Sequence, residues 1–134
     1  MILKRNKRPL VVVLTRNYST GLSVIRALGK AGYTVDVIAS AVKEGKSRLV
    51  SVSRYVNRYT EVVSAKISGD NDEALIEALL KYETEESSAA GIILFPTDDY
   101  TTSVMDLNRD RLEKIFIMPG VAGGSKGTLK HLMD

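Results

Sequence analysis

Three short apolar runs punctuate this chain, and amphipathic stretches separate them. Leu10-Val-Val-Val-Leu14 is rich in β-branched residues and bounded by Pro9 and a polar loop. A run of this kind suits a strand covered on both faces, as in the middle of a parallel sheet. Leu22, Ile25, Leu28 and Ala31 then recur at helical spacing. Ser19 or Thr20 is placed to cap that helix, and Gly32 to end it in the left-handed conformation. Residues 34–39 read as a second strand, which completes a βαβ unit with a right-handed crossover.

No clean period runs from Ala41 to Asn57, where a short helix or turn is expected around 47–52. Residues 58–63 form a third candidate strand. From Asp70 to Tyr82 the pattern predicts a helix, with Leu75, Ala78, Leu79 and Tyr82 on one stripe and acidic residues in the first turn. Gly91-Ile-Ile-Leu-Phe95 is a second apolar strand, stopped by Pro96. Asp98 or Asp99 is placed to cap a helix through Val104, Met105, Leu107 and Leu112. Ile115–Met118 reads as a last short strand closed by Pro119-Gly120, and residues 125–134 start another helix. Strands alternating with helices predict an α/β fold: three layers around an open, mainly parallel, doubly wound sheet. The whole of 1–134 reads as one domain, with 1–8 as a basic leader.

Composition narrows the chemistry. The 134 residues are 44% apolar and 26% charged, ordinary globular usage. There are no cysteines and one histidine, His131. This excludes disulfides, thiolate zinc sites and cysteine nucleophiles, and leaves a histidine triad or histidine metal site without a second histidine. No apolar run reaches the length of a membrane span, and the basic N-terminus leads into a strand rather than a cleavable segment. The expectation is a cytoplasmic protein that binds no membrane. The formal charge of +3 is uneven: residues 43–61 are mostly basic and 70–86 mostly acidic. Such blocks are the ordinary pattern of solvated faces, and a continuous basic stripe with interleaved aromatics is missing, so nucleic acid is not an expected partner.

Two loops carry candidate binding chemistry. Thr15-Arg-Asn-Tyr-Ser-Thr-Gly21 follows the first strand, and in open parallel sheets ligands sit beyond the carboxyl ends of the strands. Its hydroxyls and amides at a helix start could hold an anion, or could merely turn and cap. Gly21 stands without a G-x-G-x-x-G fingerprint, and Asp36 falls inside the second strand rather than at its end, so a dinucleotide is not indicated. Phe95-Pro-Thr-Asp-Asp-Tyr100 follows the fourth strand at the same sheet edge. Its two carboxylates could hold Mg²⁺ or an amine, but neighbours on a helix diverge, and capping is the favoured role for one of them. Near the C-terminus Lys126 is followed by Gly127, so the glycine-rich stretch there fails the P-loop pattern. The segment Ser53–Tyr59 reads as a basic surface with two packed tyrosines. No catalytic residue and no metal cage is evident.

Taken in order, Thr20 to Val35 (T-G-L-S-V-I-R-A-L-G-K-A-G-Y-T-V), S-R-Y-V (53–56), I-L-F-P-T-D-D-Y (93–100) and L-K-H-L-M-D (129–134) resemble the opening of ATP-grasp enzymes related to the carbamoyl-phosphate synthase large subunit. F-P-T-D-D is the most telling motif. The resemblance implies a Rossmann-like pre-ATP-grasp domain on the substrate side of an ATP-dependent carboxylate–amine ligase, inactive alone. It implies an ATP-grasp domain, in cis or as a separate subunit, that carries ATP and Mg²⁺, with residues 125–134 leading toward it. The small-molecule acceptor would meet Thr15, Asn17, Ser19, Thr20, Thr97, Asp98 and Asp99. This chain alone is expected to bind no cofactor, and a homodimer is compatible with the reading. In this sequence Thr15-Arg-Asn-Tyr replaces the family's customary glycine pattern after the first strand. The competing reading is a free-standing flavodoxin-like or nucleotide-binding module, in which Asn17–Gly21 holds the FMN phosphate.

Overall fold

The computed structural model describes residues 9–16, 18–41, 54–63, 72–85 and 91–118. The expected leader 1–8, the turn at 47–52 and the final helix at 125–134 lie outside them. Four parallel strands, β1 (Leu10–Thr15), β2 (Thr34–Ala41), β3 (Val56–Val63) and β4 (Ile92–Pro96), form one sheet in the order β3-β2-β1-β4. Helix α1 (Tyr18–Lys30) links β1 to β2. Helices α2 (Glu73–Leu80) and α3 (Tyr82–Glu85) precede β4, and α4 (Asp99–Leu107) and α5 (Arg109–Leu112) follow it. The fold is a Rossmann-like open α/β sheet with helices on both faces.

The continuous apolar run of β1 serves both layers by simple alternation. Leu10, Val12 and Leu14 join Leu75, Ile76 and Leu79 of α2 and Val104, Met105 and Leu112 of α4 and α5. Val11 and Val13 join Val35, Val37 and Ile25 on the α1 side. Each fully buried valine or leucine here contributes about 1.5–3 kcal/mol of burial, so the central strand anchors both cores. Tyr55 and Tyr59 pack against the α1-side cluster, as expected of the basic segment.

Element ends differ from the sequence reading for local reasons. Ser19 and Thr20 lie inside the first turn of α1 rather than at its cap. Gly32 takes φ 94° beyond that helix, as expected. Asp72 caps α2 by accepting the Leu75 N–H at 3.2 Å. The helix expected through Leu112 breaks at Asn108, whose side-chain amide donates to the Val104 carbonyl at 2.9 Å. The strand expected at 115–118 shrinks to a single parallel bridge between Ile117 and Ile93. The N–H groups of Ile115 and Phe116 are both spent on the Leu112 carbonyl, at 2.9 and 2.8 Å, so pairing with β4 starts only at Ile117.

Candidate functional site

Strand order reverses between β1 and β4. The β1-to-β2 connection runs one way over one face, and the β3-to-β4 connection runs back over the other. The loops leaving the carboxyl ends of β1 and β4 therefore lead to helices on opposite faces, and this switch point is where open α/β sheets accept ligands. These are the two loops singled out by sequence. The structure brings them into contact.

Asp98 makes that contact. Its Oδ2 accepts the backbone N–H of Arg16 at 2.6 Å, and its Oδ1 accepts the N–H and hydroxyl of Thr101 at 2.9 and 2.7 Å. Thr101 Oγ1 lies 3.4 Å from the Asp98 N–H, completing a capping box on α4. One carboxylate thus caps a helix and ties it to the end of the central strand. Thr97 does similar work: its N–H and its hydroxyl both donate to the Leu14 carbonyl, at 3.0 and 2.9 Å.

The other candidates are placed differently. Thr15 is buried, and its Oγ1 sits where a Cβ on Gly21 would come within 2.5 Å, so the start of α1 packs directly on the end of β1. Thr20 is exposed on the first turn of α1, and Asp99 is exposed on the first turn of α4. The backbone of Ser19 belongs to α1, and Asn17 lies outside the described residues. Asp98 and Asp99 do not act as a paired carboxylate, since Asp98 is committed to its cap. Among the described residues no group of three or more His, Cys, Asp or Glu side chains could hold a metal ion.

Sequence reasoning passed over the side chains that link the strand ends at this switch point. Arg16 Nη1 donates to Ser40 Oγ at the end of β2, at 3.1 Å. The same guanidinium lies over the Tyr100 ring, 3.9 Å from its centroid. The Tyr100 hydroxyl in turn donates to Asp72 Oδ2. Three strand ends and the starts of α2 and α4 are thereby joined through Arg16 and Tyr100. Both residues stand inside the two loops already singled out; only the pairing between them needed the fold.

A second polar centre lies away from this edge. Asp36 is buried within β2 and accepts from the Tyr82 hydroxyl at 2.6 Å, Asn57 Nδ2 at 2.9 Å and Arg58 at 3.4 Å. The pairing register slips between Val35 and Asp36, so that Val35 faces Val56 and Asp36 faces Arg58. Asn57 is the extra residue of this bulge, which turns both Asn57 and Arg58 toward one carboxylate. Because Asp36 sits near the amino end of its strand, it holds β3 and α3 in place rather than serving the ligand edge.

The Arg54 guanidinium donates to the Tyr55 hydroxyl at 3.0 Å, which lowers the Tyr55 pKa and raises that of Arg54. This pair lies on the α1 side, outside the ligand edge. Comparison with known proteins finds no matching family model, no matching curated protein and no matching solved structure. No helix among the described residues is long and apolar enough to cross a membrane.

Proposed function

We propose that this chain is the substrate-side, pre-ATP-grasp domain of a cytoplasmic ATP-dependent carboxylate–amine ligase related to the carbamoyl-phosphate synthase large subunit. The observation that carries the reading is the hydrogen bond from the Arg16 N–H to Asp98. It joins the loop of the most telling motif, F-P-T-D-D, to the loop after the first strand, at the sheet edge where such folds receive ligands. In this reading ATP and Mg²⁺ belong to an ATP-grasp domain, and the chain described here shapes the acceptor end of the cleft.

The roles divide by geometry. Thr15, Thr97 and Asp98 build the edge, since their polar atoms or buried positions are committed to the scaffold. Thr20 and Asp99 are both exposed, and in this reading they meet the acceptor. In this reading the chemistry would come from elsewhere: a carboxylate would take the γ-phosphoryl group of ATP, releasing ADP, and an amine would then displace inorganic phosphate from the acyl phosphate. The domain's share is to bind and orient the acceptor.

Kinetics of the product of the whole gene test this. Thr20→Ala and Asp99→Ala should each raise the KM for the acceptor severalfold with kcat and the KM for ATP little changed, because exposed positions cost the fold little. Unchanged acceptor KM in both variants contradicts the reading. Uptake of FMN by the purified protein, with a yellow product, would favour the flavodoxin-like module instead.

A further inference from the structure

We infer that the chain's own residues 125–134 dock on the sheet face beside helix α1, with Ile117 at the centre of the contact. An all-parallel sheet needs cover on both faces. Among the described residues, α2 to α5 together line one face, whereas α1 alone supplies helix side chains to the other. Helix α1 lies mainly over β1 and β2. On that same face β4 carries Ile93 and Phe95, which are apolar yet only half-buried, while Ile92 and Leu94 are buried on the opposite face. Ile117 extends this strip. It is bridged to Ile93, and residues paired across neighbouring strands point to one side of a sheet. Phe116 and Met118, on either side of it, pack against the other layer. Ile117 itself is 52% exposed.

Helix α1 forms the far wall of the strip. Its Gly29 approaches Tyr55, just before β3. Val24, half-buried, stands about 140° round the helix from Gly29 and so lies on the flank toward β4, with Leu28 beside it. The occupant follows from the sequence next to Ile117. Pro119 is unsuited to continuing a strand, and Gly120, Gly123 and Gly124 permit a reversal of the chain. Six residues, 119–124, can span up to roughly 20 Å, twice the roughly 10 Å of two strand spacings between Ile117 and β1. With helical spacing over 125–134, Leu129, Leu132 and Met133 share one face, and Lys130, His131 and Asp134 take the other. A short apolar stripe of this kind matches a strip lined by Ile93, Phe95, Ile117 and Val24, and the covalent connection gives it a high effective concentration there.

Methyl-labelled samples of the 134-residue chain test the inference. Nuclear Overhauser contacts should join the Ile117 and Ile93 methyls to those of Leu129, Leu132 and Met133 within one chain. Ile117→Asp places a charge in the dock, and amide exchange at 129–133 should quicken roughly tenfold or more. Leu132→Asp changes only the docking segment, should quicken exchange there by a similar factor and should shift the Ile117 methyl. It carries the test if Ile117→Asp fails to fold. Three results overturn the inference: exchange at 129–133 already at the unprotected rate in the parent and unchanged in the variants; contacts that a mixed-label sample places between two chains, which assign the strip to a second copy; or an Ile117 methyl that finds a partner only in the product of the whole gene, which assigns it to another part of that protein. The ligase reading is decided separately, by nucleotide turnover.

Discussion

The Tyr82 hydroxyl gives Asp36 its shortest hydrogen bond, 2.6 Å inside the core. Tyr82→Phe removes that donor while keeping the ring that packs on Phe116 at a centroid distance of 5.9 Å. A buried carboxylate short of a donor costs about 1–3 kcal/mol, read as a lower urea midpoint with an unchanged m-value. An unchanged midpoint would place the weight on Asn57 and Arg58. At the ligand edge the two adjacent aspartates separate cleanly. Asp98→Ala loses a helix cap and the tether to β1, a cost of about 1–2 kcal/mol, whereas Asp99→Ala should fall within about 0.5 kcal/mol of the parent. Equal effects at both positions would contradict the capping geometry. Tyr55 is expected to ionise below the ordinary tyrosine value of about 10, since its hydroxyl takes a hydrogen bond from Arg54. With the folded value lowered, the phenolate's stabilising contribution exists only at alkaline pH and is lost as pH falls through the folded value. Absorbance titration should show an early-ionising tyrosine component that is lost in Arg54→Gln.

Helix α1 lies so close to the segment before β3 that side-chain size decides the fit. A Cβ on Gly29 would come within 2.2 Å of the Tyr55 ring, so Gly29→Ala forces either the ring or the helix to move. The expected loss is about 1–3 kcal/mol from overpacking. Tyr55→Ala should relieve most of it, giving a coupling that a double-mutant cycle detects; additive losses would contradict the close approach. At this scale the sequence was readable in kind more than in extent. Periodicity located β1, α1, β2 and β4 because their apolar positions serve layers that cover them. It ran past the break at Asn108, because a side-chain amide competing for a backbone carbonyl leaves no mark on an apolar stripe. It also overextended the last strand, since 115–118 is apolar but two of its N–H groups close a helical turn.

Across the whole molecule, the parallel Rossmann-like sheet and the placement of the two motif loops at one sheet edge were legible, because strand runs and loop order alone dictate them. The bridge from Arg16 to Tyr100, the Asp36 centre and the close packing of Thr15 on Gly21 were not. Each joins residues from separate elements, and contact at that distance is set by register and sheet order rather than by local pattern. The capping role favoured for one of the two aspartates falls to Asp98, and its second oxygen adds a link to β1 that only the folded geometry supplies. The proposal that this edge belongs to a carboxylate–amine ligase is tested most directly by turnover. The product of the whole gene should be incubated with ATP, Mg²⁺ and paired panels of carboxylates and amines, and ADP release measured. The account predicts ADP release that requires both a carboxylate and an amine. A gene product that releases no ADP with any pair, and whose reading frame encodes no ATP-binding segment beyond Asp134, would contradict it.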